Sequence, residues 1–232
     1  MAGADEAGRG SLAGPLVAAG VLIDHEDLPR RDRIELGLLN DSKQMSPEER
    51  EQLYPVVLRA SRRVAVEVRC VTGIDSRGLH VTNIAALARC LERVATDGAT
   101  CLSDGFRLPG CAVEHRAVVD GDATSAAIAA ASVIAKVTRD RYMRRVAAMY
   151  PVWKFEENVG YSTPEHREAI IANGICPLHR RSFASIAYSQ LSLVEETALD
   201  EQSERVADVI DIREAIRAEA DPDDVEAVAG DA

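Results

Sequence analysis

The chain has 232 residues, of which 47% are hydrophobic and 28% are charged, and its formal net charge is −11. These values are typical of a globular domain with an appendage, and no apolar run approaches the roughly 18 residues that a membrane span needs. Five scattered cysteines without a CxxC spacing argue against a disulfide framework and a zinc site.

The start of the chain shows no basic region followed by an apolar segment, so we expect no secretory signal and a cytoplasmic protein. The negative charge is concentrated at the other end. Residues 195–232 contain fourteen acids and three arginines, whereas residues 1–194 are formally neutral. We therefore predict one folded domain over residues 1–192 and an acidic tail over residues 193–232, partly helical and then disordered. A neutral body does not exclude a polyanionic ligand, because local basic clusters decide nucleic-acid binding.

In chain order, apolar or alternating segments alternate with helical ones. A very short strand is expected before Asp5, and further strands over residues 16–23, 62–71, 99–103 and 117–119. Helices are expected over residues 46–60, 78–94 and 125–150. Ser46, Pro47 and Glu49 form a capping-box start for the first helix, which Pro55 is expected to kink or shorten. Strands interleaved with helices predict an α/β domain.

Four acids follow predicted strands: Asp5, Glu6, Asp104 and Asp122. Ligands of open α/β sheets bind at the ends of strands, so three separate segments are expected to deliver carboxylates to one place. Gathered carboxylates repel one another and stay ionised only when cations neutralise them. A ligand set of carboxylates without histidine or cysteine suits Mg²⁺ or Mn²⁺.

Each acid also has a structural interpretation. Asp104 precedes a glycine, and an Asp-Gly pair is often only a turn. Asp122 precedes the long helix and equally fits its N-cap. Asp120 competes with Asp122, and spacing alone does not rank the two. Asp5 and Glu6 have no evident structural use.

The segment after the first acids is rich in glycine. Residues 8–13 (Gly-Arg-Gly-Ser-Leu-Ala) match the dinucleotide-binding GxGxxG/A pattern. The match is weak, because Pro15 and a predicted strand follow where that fingerprint requires a helix. The alternative is that the glycines bring the backbone close to a ligand beside the acids.

Basic residues and one aromatic residue are placed where a phosphate backbone would use them. Lys136 and Arg139 lie on the long helix, whose further arginines at 141, 144 and 145 favour a solvated face. Lys43 is in a loop, and residues 179–181 (His-Arg-Arg) add positive charge in another. Tyr161, in the polar turn GYSTPEH, is expected either to stack on a sugar or base or to pack in the core.

These motifs together resemble the ribonuclease HII family, the type 2 ribonucleases H. The matching pieces are DEAGRGSLAGP, LNDSKQ, SDG, the long VVDGDATSAAIAAASVIAKVTRDRYM, GYSTPEH and HRRSF, which cover roughly residues 3 to 187 in family order. The resemblance implies a ribonuclease H-like fold with a mixed central sheet flanked by helices. It also implies several residues ahead of the first strand, so we expect either a clipped strand or a start further upstream.

The resemblance assigns roles to individual positions. It implies that the catalytic and metal-binding acids are Asp5, Glu6, Asp104 and Asp122, rather than Asp120. It further implies that the loop of Gly8, Arg9 and Gly10 recognises a ribonucleotide 2′-hydroxyl and that Tyr161 packs on the neighbouring deoxyribose. It also implies that Lys43, Lys136 and Arg139 contact phosphate groups.

The implied activity is endonucleolytic hydrolysis of the RNA strand of RNA/DNA hybrids, with nicking on the 5′ side of ribonucleotides embedded in duplex DNA. Nucleic acid is thus the expected partner, and two Mg²⁺ or Mn²⁺ ions are the expected cofactors. Alternatives are another metal-dependent phosphoryl-transfer nuclease and a noncatalytic binder of hybrid duplexes.

Overall fold

The structure is a computed structural model that describes residues 1–39 and 45–183. Lys43 and the predicted acidic tail lie outside these residues. The strands are β1 (Ala2–Ala7), β2 (Leu16–Leu22), β3 (Arg63–Arg69), β4 (Cys101–Asp104) and β5 (Arg116–Val118). The helices are α1 (Arg30–Leu36), α2 (Pro47–Ala60), α3 (Val71–Arg77), α4 (Leu79–Val94), α5 (Gly121–Thr124), α6 (Ala126–Ala147), α7 (Phe155–Asn158) and α8 (Pro164–Asn173). None of these helices has the length and apolar character to cross a membrane.

The strands form one mixed sheet in the order β3-β2-β1-β4-β5. The pairs β1 with β2 and β2 with β3 are antiparallel, whereas β1 with β4 and β4 with β5 are parallel. Strand β1 is therefore central and paired on both sides, and all six of its residues pair with β2. Because β1 and β4 run in parallel, their carboxyl ends meet at the same edge of the sheet.

Helices cover both faces of the sheet. On one face, α6 and α2 bury their apolar side chains against β1 and β2, as shown by Val133, Ile134 and Val57. On the other face, α4 packs Leu87 and Leu91 against the same strands. The mixed sheet flanked by helices confirms the predicted fold class.

Helix α6 lies unusually close to β1 because both elements carry small residues at their contact. A Cβ atom on Gly3 would lie 2.3 Å from the backbone carbon of Ala127, a distance that no side chain tolerates. The alternation of the strand places Gly3, Asp5 and Ala7 on one face. The absence of a side chain at residue 3 thus brings α6 down onto the face that carries Asp5.

Several predicted elements are confirmed within one to three residues, including β2, β3 and α4, as expected from strong hydrophobic periodicity. The capping box of α2 is present, with Ser46 and Glu49 each bonding the other's backbone N–H. The expectation that Pro55 shortens α2 was wrong, since the helix continues to Ala60. Packing of Leu53 and Val57 in the core compensates for the backbone hydrogen bond that proline removes.

Other expectations need correction. Asp5 and Glu6 lie within β1 rather than after a shorter strand. The long helix is preceded by the single turn α5, which contains Asp122, so this acid is not the N-cap of α6; Ser125 holds that position. The scattered spacing of the cysteines predicts reduced, buried thiols, and those at 90, 101 and 176 are buried, but Cys70 is exposed and Cys111 is only partly buried.

Candidate active site

Two predicted acids lie side by side at the carboxyl ends of β1 and β4. Ala4 pairs with Ser103 in the parallel ladder, so Asp5 and Asp104 are the next residues along the two neighbouring strands. Asp5 is almost completely buried, with 5% of its surface exposed. The sheet thus brings together acids that are about a hundred positions apart in sequence.

Helix α5 brings the fourth acid to the same edge. The backbone N–H of Gly121 donates a hydrogen bond to Asp104 Oδ1 at 2.8 Å. Asp122 is the next residue and is buried, with 5% exposure. Asp120 is exposed and adopts a left-handed backbone with φ of 51°. Its position therefore favours a role in the turn, whereas Asp122 faces inward.

The pKa of Asp5 is sensitive to its burial and to the neighbouring carboxylates. Burial raises the pKa of Asp5 well above its ordinary value, and the charges of Glu6 and Asp104 raise the pKa further. Hydrogen bonds from the Glu6 N–H and the Ser132 hydroxyl act in the opposite direction but do not offset the burial. An ionised Asp5 is thus unfavourable in the protein alone, and a cation at this edge would stabilise it.

The side chains are not arranged as a finished metal site. Within residues 1–39 and 45–183, no group of three or more histidine, cysteine, aspartate or glutamate side chains is positioned to hold a metal ion. The donor set nonetheless fits a hard divalent cation, because it consists of carboxylates alone and three of them interact electrostatically. The assignment of the four acids as ligands remains a prediction.

The glycine loop follows β1 and lies beside this edge. Gly8 has a φ of +86°, and a Cβ atom there would lie 2.0 Å from Arg139 Nε, so only glycine fits. Gly10 is exposed, and a Cβ atom at this position would have no neighbouring atom within 4 Å. The loop therefore has a closed side, packed against α6, and an open side that a ligand can approach.

The position of Arg139 contradicts its predicted contact with a phosphate. It is fully buried on α6, and its guanidinium donates to the carbonyl oxygens of Pro15, Ala13 and Val159 and to the Ser11 hydroxyl at 2.7 to 2.9 Å. Burial lowers the pKa of this guanidinium. A side chain enclosed in this way does not reach a phosphate, so Arg139 holds the glycine loop rather than the substrate.

Arg180 also holds this loop, and its position differs from a second expectation. Residues 179–181 were expected to add positive charge in a loop where a phosphate backbone would use it, but His179 and Arg180 are buried and only Arg181 is exposed. Arg180 Nε and Nη2 both donate to the Gly14 carbonyl at 3.0 and 2.9 Å, and Nη1 donates to the Arg9 carbonyl at 3.1 Å. Two buried guanidinium groups thus fix four carbonyl groups of the loop, those of Arg9, Ala13, Gly14 and Pro15.

Lys136 and Tyr161 lie together next to the loop. The Lys136 ammonium is 4.6 Å from the centre of the Tyr161 ring and bonds Asp140 Oδ1 at 2.8 Å. The Arg139 guanidinium lies 5.1 Å from the same ring. Tyr161 is partly exposed, so part of its surface remains accessible to a sugar. The predicted roles of Lys136 at a phosphate and of Tyr161 at a deoxyribose remain predictions, as does that of Lys43.

Two of the other arginines of α6 pair with a carboxylate of α2. Arg141 bonds Glu51 of α2 at 2.7 Å, and Arg144 approaches the same carboxylate at 3.8 Å. These contacts agree with the interpretation of that helix face as solvated and structural.

Two buried histidines behind Tyr161 were missed by the sequence analysis as a pair. His166 Nδ1 lies 2.8 Å from the Tyr161 carbonyl, His166 Nε2 lies 3.1 Å from His179 Nε2, and the Cys176 N–H donates to His179 Nδ1 at 2.9 Å. A carbonyl only accepts and a backbone N–H only donates, so His166 carries its proton on Nδ1 and His179 on Nε2. Nothing in the spacing of the two residues signals this pairing.

Both histidines are expected to make the fold less stable in acid. Burial and the charge of His166 lower the pKa of His179 to about 3, and burial lowers that of His166. Below the ordinary histidine pKa of about 6.5 the unfolded chain binds protons that the folded chain does not. We therefore expect the free energy of unfolding to fall from about pH 6.5 towards pH 3, by at most ~1.4 kcal/mol per pH unit for each proton difference.

Urea unfolding at several pH values measures this dependence. The variant His179→Gln keeps an N–H donor but does not titrate, so its stability is expected to fall less steeply with acid than that of the wild type. The matched control is His25→Gln, at an exposed histidine, which should retain the wild-type slope. Equal slopes for the wild type and His179→Gln would contradict the expectation.

Comparisons with known proteins show the family of this chain. A family model described as Ribonuclease HII matches residues 2–186. The chain is 46% identical over 187 residues to ribonuclease HII of Salinispora arenicola, covering 81% of this chain and 68% of that protein. It is 42% identical over 186 residues to ribonuclease HII of Mycobacterium avium, covering 80% and 79% of the two chains.

Solved structures show the same fold. The structure of a PCNA:RNase HII complex from Archaeoglobus fulgidus matches with a TM-score of 0.68 and 27% identity, over 83% of this chain and 98% of that one. Ribonuclease H2 from Pyrococcus horikoshii OT3 matches with a TM-score of 0.66 and 26% identity, over 88% and 98%.

The mixed sheet, its helical layers and the acids at one sheet edge define a nuclease with a ribonuclease H-like fold. With the family match over most of its length, the chain belongs to the ribonuclease HII family. It is an endoribonuclease of the ribonuclease H type, a hydrolase that acts on RNA in RNA/DNA hybrids.

Proposed function

We propose that this enzyme cleaves on the 5′ side of ribonucleotides in hybrid and duplex substrates, with two Mg²⁺ or Mn²⁺ ions as cofactors. The observation that carries the proposal is the raised pKa of buried Asp5, which burial and the charges of Glu6 and Asp104 produce. A binding site for divalent cations resolves this repulsion, whereas a purely structural site has no use for it.

The proposed ligands of the ions are Asp5, Glu6, Asp104 and Asp122. When bound, divalent ions acidify a coordinated water and neutralise the charge that develops on a phosphate. The protein contributes the placement of the ligands. Two parallel strands fix Asp5 and Asp104, and the Gly121 N–H orients the Asp104 carboxylate at 2.8 Å. The strands thus fix the backbone of two ligands, and the carboxylates that are not yet grouped would move together when a cation binds.

Substrate recognition is proposed for the open side of the glycine loop and for Tyr161. The buried guanidinium groups of Arg139 and Arg180 hold the loop carbonyls on its closed side. On the open side, Gly10 leaves the backbone accessible to the 2′-hydroxyl of a ribonucleotide, while Gly8 lets the loop turn tightly against Arg139. Lys136, next to Tyr161, supplies a cation for a nearby phosphate. Lys43 is proposed for a second phosphate contact on the basis of its motif.

A nicking assay tests the proposal. The substrate is a labelled DNA duplex with one ribonucleotide, and the control is the same duplex without it. We expect a single cut on the 5′ side of the ribonucleotide in Mg²⁺ or Mn²⁺, no cut in chelator and no cut in the control duplex.

The outcomes separate the alternatives. Binding of an RNA/DNA hybrid without cleavage in either metal would favour a noncatalytic hybrid binder. Cutting of the control duplex at a comparable rate would favour a general metal-dependent nuclease, and either result would contradict the proposal.

A further inference from the structure

The position of the Arg9 side chain is not determined by its own segment. Arg9 lies between Gly8, whose φ is +86°, and Gly10, which is exposed and has open space around it. Glycines on both sides give this backbone wide conformational freedom. The orientation of the guanidinium must therefore come from contacts with other parts of the fold.

Two such contacts hold Arg9. The Arg180 guanidinium donates to the Arg9 carbonyl at 3.1 Å and fixes its backbone. The Arg9 guanidinium itself lies over the ring of Phe106, 4.6 Å from the ring centre, which is the geometry of a cation–π interaction. Phe106 is thus the aromatic partner that orients this side chain.

Phe106 belongs to the turn that carries Asp104. Its backbone N–H donates to the Asp104 carbonyl at 2.7 Å, and its carbonyl accepts the hydroxyl of Ser103. The intervening Gly105 donates to the Val118 carbonyl at 2.8 Å, which ties the turn to β5. These bonds fix the backbone of Phe106 relative to the acidic edge of the sheet.

The ring of Phe106 is also fixed. It packs against the hydrophobic cluster formed by α4 and the sheet. The ring of His80 makes an edge contact with it, with 5.8 Å between the ring centres. The hydrophobic cluster and His80 therefore fix the ring of Phe106, and the Arg9 guanidinium lies over this ring from the glycine loop.

We infer that Phe106 is a positioning residue for Arg9 and, through it, a determinant of affinity for ribonucleotide-containing duplexes. It links the loop that faces the substrate to the turn that carries a proposed metal ligand. The effect on affinity for the substrate rests on the proposed function, whereas the contact between Arg9 and Phe106 is independent of it.

A double-mutant cycle in the full-length enzyme tests the inference. Affinity for a labelled RNA/DNA hybrid is measured by fluorescence anisotropy in chelator, so that no cleavage occurs. We expect Phe106→Leu to weaken binding by about two- to fivefold, the equivalent of a cation–π interaction of ~0.5–1 kcal/mol. Phe106→Tyr keeps an aromatic face and should restore wild-type affinity. In an Arg9→Ala background, Phe106→Leu should cause no further loss.

The contact is tested separately by NMR of the protein alone. Ring currents of Phe106 should shift the Arg9 δ-protons upfield in the wild type and in Phe106→Tyr, and this shift should vanish in Phe106→Leu. An unchanged shift in Phe106→Leu overturns the inference, as does an undiminished effect of Phe106→Leu in the Arg9→Ala background. A wild-type protein that binds no hybrid contradicts the proposed function together with the affinity part of the inference, while the shift still decides the contact.

Discussion

Replacement of Asp104 with asparagine is expected to slow cleavage of a ribonucleotide-containing duplex at least about 100-fold in Mg²⁺, because a liganding carboxylate contributes to several kcal/mol of charge stabilisation at the phosphate. The fold should be preserved, since an asparagine Oδ1 still accepts the Gly121 N–H. Hybrid binding in chelator should be equal or slightly tighter, because one negative charge is removed from the acidic edge. Single-turnover cleavage and fluorescence anisotropy measure the two quantities.

The neighbouring Asp120 provides the matched control. It is exposed, and its left-handed backbone, with φ of 51°, is one that asparagine also adopts readily. Asp120→Asn should therefore cleave at close to the wild-type rate. Wild-type cleavage by Asp104→Asn, or a severe loss in Asp120→Asn, would show that the acids have been assigned incorrectly.

Replacement of Arg139 with methionine is expected to lower the free energy of unfolding by roughly 3–5 kcal/mol. Methionine fills much of the same space but leaves the carbonyls of Pro15, Ala13 and Val159 without their buried donor. Arg139→Lys keeps the charge but offers a single nitrogen, so it should recover only part of the loss. Urea unfolding measures the change in stability.

Arg145, exposed on the same helix, is the control. Arg145→Met should change the free energy of unfolding by no more than about 0.5 kcal/mol. The stability experiment also separates the two interpretations of Arg139. A variant Arg139→Met with normal stability and weakened, less salt-dependent hybrid binding would restore the discarded phosphate contact.

The acids illustrate what local sequence reveals. Asp104 and Asp122 each had a structural alternative as a turn residue or a helix cap, and spacing did not rank Asp120 against Asp122. The fold favours Asp122, because α5 buries it next to Gly121, which bonds Asp104, while Asp120 is exposed. The resemblance to the family had already favoured Asp122, and the fold adds a hydrogen bond between residues 104 and 121 that no local pattern reports.

For two arginines, the residue type led to the wrong expectation about exposure. Arg139 and Arg180 were interpreted as positive charge available to a ligand, as most arginines in helices and loops are. In the fold both are fully buried and serve the glycine loop. Burial of a guanidinium requires several carbonyl acceptors from distant segments, here residues 9–15 and 159, and their convergence is a property of the tertiary structure.

The sequence by itself determined the alternation of strands and helices, the capping of α2, the mixed α/β class and the family, because periodicity, caps and motifs are local. The tertiary structure alone decided which carboxylates share an edge of the sheet and raise the pKa of Asp5. It alone decided that Arg139 and Arg180 face inward and that Phe106 lies under Arg9. Charge interactions and burial depend on distances in space, and residues far apart in the chain set those distances only when the sheet and its helices have packed.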